Sequence, residues 1–151
     1  STTVGISMWP MLRNRHDTII VRPYAPASVA QSGEERLAVG EVPLYRSNGR
    51  YVLHRIIGYW PDGAYRVRGD NTMRDEHVAD DQGMIGVLQE FYRGKRHVVC
   101  AENRWYRRYW RCWLAIWPVR RLLKRLRWAL GRVAHGILRP FGFRGLHPDG
   151  L

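Results

Sequence analysis

Three short segments of this 151-residue chain carry the residue types that nucleophilic catalysis requires. Ser7 lies in the apolar segment 5–12, His54 lies in a β-rich segment, and an acidic turn holds Asp70 and Asp75. A serine hydroxyl attacks a carbonyl group efficiently only when a neighbouring base takes its proton, which histidine can do near neutral pH. Taken singly, each segment is also compatible with a structural role, such as a turn that satisfies its own backbone. Brought together, they would supply a nucleophile, a base and an acid.

The order of these segments resembles the signal peptidase I (S26) family, which shares its fold with the LexA-like self-cleaving repressors. The resemblance rests on a Ser-Met-x-Pro box at 7–10, a strand at 51–57, a Gly-Asp-Asn box at 69–71 and a further strand at 85–87. It covers residues 4–93, and the continuous segments 5–23 and 42–46 look like a soluble bacterial branch of small S24/S26-like peptidases. The resemblance implies a serine endopeptidase.

The resemblance assigns the nucleophile to Ser7 and the base to His54. Many bacterial members of the family use a lysine as base, whereas the endoplasmic-reticulum type uses a histidine. The only lysines here, Lys95 and Lys124, lie outside the base region, so a Ser–Lys dyad has no candidate. The family's oxyanion hole implies the Ser7 amide as a donor.

The acid that orients the base stays open among three carboxylates. The resemblance points to the acidic turn, where Asp70 and Asp75 are the candidates and Glu76 is a further possibility. An acid in this role would hold the imidazole of His54 and stabilise the imidazolium that forms during catalysis.

Many short β-rich segments indicate a mostly-β domain that positions these residues. Predicted strands cover 17–22, 41–45, 51–59, 64–68 and 84–91, and residues 23–40 are predicted to form a loop. Asn48-Gly49 is a strong hairpin turn signal, because both residues tolerate positive φ. We therefore expect a signal peptidase/LexA-like coiled sheet or small barrel, with a peptidase domain over residues 1–100.

The remaining residues, 101–151, form a basic tail rich in tryptophan. The chain has 25 Lys+Arg against 13 Asp+Glu, a net charge of +12, and nearly all of this excess lies in the tail. Helical periodicity begins at Arg104 and restarts after Pro118, with apolar residues on one face and arginines on the other. The tail is therefore predicted to form amphipathic basic α-helices.

Three alternatives describe what this tail does. It could pack its apolar face on the β-domain, lie in the plane of an anionic membrane surface, or bind single-stranded nucleic acid. We expect the membrane surface, contacted by residues 104–133, and nucleic acid is disfavoured because no recognised reader precedes the domain. The chain shows no signal peptide and no segment long enough to span a bilayer, so the expected location is peripheral to a membrane.

The expected function is cleavage of signal-type, leader-type or precursor peptides at that surface. No cofactor is expected, and Cys100 and Cys112 lack the spacing of a metal site, so no metal is expected either. Whether these cysteines pair, and whether the chain oligomerises, stays open. The alternative function is a non-catalytic or self-processing LexA-like regulatory module whose tail binds nucleic acid.

Overall fold

The computed structural model describes residues 5–24, 36–79 and 83–138, with side chains up to residue 128. Most of the predicted loop 23–40 and the last thirteen residues of the chain lie outside the described residues. The described residues form eight strands and two helices: β1 (Asp17–Pro23), β2 (Pro43–Ser47), β3 (Arg50–Leu53), β4 (Arg55–Tyr59), β5 (Tyr65–Arg68), β6 (Glu76–Val78), β7 (Met84–Arg93), β8 (Arg96–Val99), α1 (Arg104–Ala115) and α2 (Trp117–Leu138).

The strands form two antiparallel sheets. The larger sheet has the order β1-β7-β2-β3, with β8 also paired to β7, and the smaller sheet has the order β4-β5-β6. Burial alternates along β1, where Asp17 and Ile19 are buried while Thr18 and Ile20 are exposed, as expected for a strand with one face on the core. The chain is mostly β, with a curled half-barrel sheet and two C-terminal helices, which confirms the coarse fold prediction.

The predicted strand 51–59 is wrong as a single element, because the chain changes sheets at His54. β3 pairs with β2 in the larger sheet, whereas β4 pairs with β5 in the smaller one. Strands commonly switch between packed sheets at such bends, which form the corners of the fold. The imidazole therefore projects from a corner rather than from the middle of a strand.

Two short strands, β6 and β8, were not predicted from the sequence. β6 and β8 are three and four residues long and carry charged residues, such as Glu76 and Arg96, within them. Such segments lack the alternating apolar pattern that marks a strand in a sequence. The turn at Asn48-Gly49 is confirmed: it joins β2 to β3, and both residues have positive φ.

Two clusters of buried side chains form the core. The first cluster joins both sheets through residues such as Tyr45, Ile56 and Val67. The second cluster brings the segment that follows Ser7 against β1, β7 and α1, and its buried members are Met8, Met11, Leu12, Ile19, Val42, Leu88, Phe91 and Tyr106. The turn that carries Ser7 is therefore anchored in the core.

The chain divides into two compact units, one that ends at Ala115 and one that begins at Ile116. Helix α1 thus belongs with the sheets, since Tyr106 is a core residue, and the unit extends beyond the predicted boundary at residue 100. Asn103 caps α1, because its side-chain oxygen accepts a hydrogen bond from the Tyr106 amide at 2.9 Å. Pro118 lies in the first turn of α2, where the missing N–H costs nothing.

Candidate active site

The turn that carries Ser7 is tied to the acidic turn at 69–72. The Asn71 amide donates to the Ser7 carbonyl oxygen at 2.7 Å, and the Asn71 side-chain amide donates to the Ile6 carbonyl at 3.3 Å. The first and third sequence motifs, more than sixty residues apart in the chain, are therefore in direct contact.

Gly69 marks the point where all three motifs meet. A Cβ atom at this glycine would lie 2.7 Å from the Ser7 carbonyl oxygen and 3.0 Å from Nε2 of His54. Real Cβ atoms essentially never approach other atoms at the shorter distance. The backbone of Ser7 and the Nε2 edge of the imidazole therefore flank the same residue, and only glycine fits between them.

The other ring nitrogen of His54 contacts a tyrosine and a carboxylate. Nδ1 lies 3.0 Å from the Tyr45 hydroxyl and 3.3 Å from Oε1 of Glu76. The Tyr45 hydroxyl donates its single proton to Oε2 of Glu76 at 2.6 Å. Both neighbours of Nδ1 can therefore only accept, so Nδ1 carries the proton and Nε2 presents its lone pair. This is the tautomer that a general base requires.

Burial and charge act on the imidazole in opposite directions. Burial lowers the pKa of His54 below its ordinary value, and the carboxylate of Glu76 opposes this shift without cancelling it. Burial also raises the pKa of Tyr45, with Glu76 adding to the shift, so that the hydroxyl keeps its proton. His54 is consequently a neutral base at neutral pH.

The two aspartates named from the sequence contact arginines instead. Both oxygens of the buried Asp70 accept from Arg55, at 2.9 Å from Nε and 2.9 Å from Nη2. Asp75 accepts from Arg66 and Arg68. Of the three carboxylates left open by the sequence, Glu76 is the one that contacts Nδ1 of His54.

Side chains of helix α1 make hydrogen bonds to Asp70 and to its partner Arg55. Nε1 of Trp113 donates to the Asp70 carbonyl oxygen at 2.9 Å, and the Tyr106 hydroxyl accepts from Arg55 at 3.1 Å. The apolar face of α1, which was predicted to contact a membrane, thus largely packs against the β-domain, although the side chain of Trp105 is 68% exposed. Helical periodicity identified the apolar face but not the surface against which it packs.

Ser7 and His54 open into one cleft of about 850 Å³. Hairpin β2–β3 forms one side of the cleft, and the segment around β6 forms the other. Its lining residues are Ser7, Tyr45, Arg46, Ser47, Asn48, Arg50, Val52, His54, Thr72, Glu76, His77 and Val78. Tyr45 and Arg50 were not predicted as site residues. Tyr45 lies in the segment 42–46 that carries part of the resemblance, but nothing in that segment gives it a role, and only the hairpin brings the two residues to the site.

No cluster of three or more metal-ligating side chains occurs among the described residues. Cys100 is half-buried, Cys112 is exposed, and both are free thiols. Burial raises the pKa of Cys100 to about 11, so this thiol stays protonated at neutral pH.

Comparisons with protein-family models, with curated proteins and with solved structures find no match to this chain.

Proposed function

We propose that the protein is a serine endopeptidase of the signal peptidase I-like type, with Ser7 as nucleophile and His54 as general base. The observation that carries the proposal is the approach of the Ser7 turn and Nε2 of His54 to Gly69, with Ser7 and His54 lining one open cleft. The proposed substrates are extended segments of signal-type, leader-type or precursor peptides.

In the proposed reaction, Oγ of Ser7 attacks the scissile carbonyl carbon while Nε2 of His54 takes its proton. The imidazolium keeps its Nδ1–H directed at Glu76 and Tyr45, which stabilises the new positive charge. His54 then returns the proton to the leaving amine, and the acyl–serine ester forms. A water molecule activated by the same nitrogen hydrolyses this ester and regenerates Ser7.

The Ser7 amide is a suitable donor for the oxyanion that develops in this reaction. Among the described residues, no hydrogen bond uses this N–H. The turn around it is fixed by the contact of its carbonyl group with Asn71 and by the buried side chains that follow it. A donor held in this way needs little reorganisation when the tetrahedral intermediate forms.

The test is mass spectrometry of a peptide library after incubation with the purified protein. Wild type should cleave, whereas Ser7→Ala and His54→Ala should not, with folding checked by circular dichroism. The matched controls are Ser47→Ala and His77→Ala, which alter a serine and a histidine of the same cleft and should keep activity. Full activity of Ser7→Ala would refute the mechanism. Cleavage of the chain itself, lost in Ser7→Ala, would instead indicate the self-processing alternative.

We also propose that α2 holds the enzyme at an anionic membrane surface. Three of its leucines are about half exposed, at 57% for Leu122, 55% for Leu123 and 50% for Leu126, and Trp128 is 75% exposed. The helix contains no acidic residue, and basic residues lie next to these apolar ones along its sequence. Exposed apolar side chains beside a surplus of arginine suit an interfacial helix lying in the plane of the headgroups. None of the helices in the described residues could itself cross a membrane.

Vesicle co-sedimentation of the full chain tests this second proposal. Binding should require phosphatidylglycerol in phosphatidylcholine vesicles, because each basic residue near an anionic surface adds about 1 kcal/mol. The double variant Leu122→Asp with Leu126→Asp should lose binding, whereas Val39→Asp, an exposed apolar position in the other unit, should not. Equal binding by all three proteins, or binding of single-stranded RNA in place of vesicles, would contradict the membrane proposal.

A further inference from the structure

The cleft that Ser7 and His54 line carries positive charge that no described residue neutralises. Arg50 is exposed on β3 and makes no ion pair or side-chain hydrogen bond with any described residue. Arg46, at the rim of the same cleft, is likewise exposed and its side chain has no such partner in the described part of the chain.

The other charged groups of the cleft are already engaged. The Glu76 carboxylate is bound by Tyr45 and faces His54, so its negative charge is directed at the base. His77 contacts Asp62 at 2.5 Å. Among the described residues that line the cleft, the charge left for a bound molecule is therefore that of two guanidinium groups.

The register of the hairpin places Arg50 on the same face as Tyr45, whose hydroxyl contacts the proposed base. Arg50 pairs with Ser47, and Val52 pairs with Tyr45, so these four side chains share one face of the hairpin. Arg50, Val52 and His54 follow one another at every second position and all line the cleft. They form a row that runs from the base to an apolar side chain and then to a cation.

The outer edge of β3 can hold an extended peptide beside this row. In the described residues, β2 is the strand that pairs with β3, which ends the larger sheet. An unpaired edge offers main-chain hydrogen bonds to an added strand, and the side chains of that strand repeat at the same interval of about 6.8 Å per two residues. Each side chain of the row would then face one side chain of the peptide.

We propose that this cleft selects peptides with an aspartate or glutamate about four residues from the scissile bond, bound by Arg50, and an apolar residue between them against Val52. This inference rests on the proposed peptidase function of the same site. Guanidinium binds carboxylate through two parallel hydrogen bonds, which makes arginine well suited to select an acidic side chain.

Peptides that differ only in the position of one residue test this selectivity. Aspartate, asparagine or lysine is placed in turn at each position up to five residues on either side of the bond cut in a library peptide. For wild type, kcat/KM should be about two- to fivefold higher with aspartate than with asparagine at one position, the range expected for a solvent-accessible ion pair. The preference should shrink when salt is added.

Charge reversal in the protein identifies the cation that is responsible. Arg50→Glu should reverse the preference from aspartate to lysine at that position, and the double variant with Arg46→Glu should reverse it at least as strongly. Arg96→Glu, an exposed arginine of β8 outside this cleft, should leave the preference unchanged. An aspartate preference that persists in Arg50→Glu, or the lack of any preference in wild type, would overturn the proposal.

Binding to the inactive protein separates this proposal from the catalytic one. Isothermal titration of Ser7→Ala with the same aspartate and asparagine peptides should give the same two- to fivefold ratio, expressed in Kd. If the peptides bind with this ratio but no protein cleaves them, the peptidase proposal fails while the acidic selectivity stands. If they are cleaved without any ratio, the selectivity alone fails.

Discussion

Asp70→Asn should destabilise the protein far more than it affects the catalytic base. The variant keeps the size of the side chain but removes the negative charge that faces Arg55. Both side chains are almost completely buried, at 1% and 0% exposure, and they form two parallel hydrogen bonds. Arg55 cannot lose its proton, so it would remain as an uncompensated buried charge.

The magnitude follows from this burial. Removing one partner of a buried ion pair costs about 3–5 kcal/mol. Arg55 keeps its bonds to the Gly40 carbonyl at 2.8 Å and to the Tyr106 hydroxyl at 3.1 Å, which places the expected loss near the lower end, at about 3 kcal/mol. This is a large fraction of the stability of an ordinary domain, about 5–15 kcal/mol.

Urea unfolding followed by tryptophan fluorescence measures this loss. With slopes of about 1–3 kcal/mol/M, the midpoint of Asp70→Asn should fall by roughly 1–3 M. Asp62→Asn is the matched control, since Asp62 and its partner His77 are both well exposed and such exposed pairs contribute little to stability. In the folded fraction of Asp70→Asn, the pH dependence of cleavage should move less than in Glu76→Gln, because Asp70 acts on the pKa of His54 only through its charge and more weakly than Glu76.

Two results would refute this reasoning. Equal midpoints for the two asparagine variants would show that the Asp70–Arg55 pair is not a buried charge pair of the expected strength. A larger change of the pH dependence in Asp70→Asn than in Glu76→Gln would return the role of orienting acid to Asp70. As a further check, replacing the whole pair with Arg55→Met and Asp70→Leu should recover part of the stability, because no buried charge then remains unpaired.

Three further predictions concern the base and its surroundings. Glu76→Gln should lower kcat about ten- to hundredfold, since a hydrogen bond to a charged group contributes about 1.5–3 kcal/mol. It should also move the acidic limb of the pH–rate profile to lower pH, because the carboxylate raises the pKa of His54. An unchanged profile would contradict the contact between Glu76 and His54. Gly69→Ala should reduce kcat/KM about 100-fold, because a shift of about 1 Å at the reacting groups has that effect. Gly58→Ala, with open space around its Cβ position, should not. Equal rates for the two variants would refute the close approach of Ser7 and His54 to Gly69. The free energy of unfolding should decrease as the pH falls below about 6.5, because His54 takes up a proton in the unfolded chain while its lowered pKa keeps it neutral in the folded one. Urea titrations at several pH values should show that His54→Gln lacks this component. The same dependence of the unfolding free energy on pH in both proteins would contradict the prediction.

Local signals in the sequence predicted much of the fold. The asparagine–glycine pair at 48–49 identified the hairpin because its backbone requirement is intrinsic to those two residues. The bend at His54 had no such signal, since residues on both sides of it prefer extended backbone and only the packing of two sheets separates them. The docking of α1 was similarly hidden, because an apolar face suits a protein core and a lipid surface equally well.

The candidate site likewise contains residues with a local sequence signal and residues that only long-range strand pairing places there. Ser7 and His54 could be proposed from their motifs, but the choice among three carboxylates within seven residues could not be made. That choice depends on which strand pairs with β5, and the register opposes Glu76 to Val67. Tyr45 is a further case, since nothing near it in the sequence connects a tyrosine of β2 to the histidine at the bend after β3.

The neighbouring residues His54 and Arg55 face in opposite directions, one toward the cleft and one toward the interior. The proposed enzyme would therefore need little binding energy to orient its base. His54 faces the cleft, while the guanidinium of Arg55 is enclosed by Asp70, Gly40 and Tyr106. The peptide unit between them is fixed from the interior, so the orientational entropy of the base is lost during folding rather than at each encounter with substrate. In the proposed reaction, the orientation of the base would therefore be set before a peptide binds.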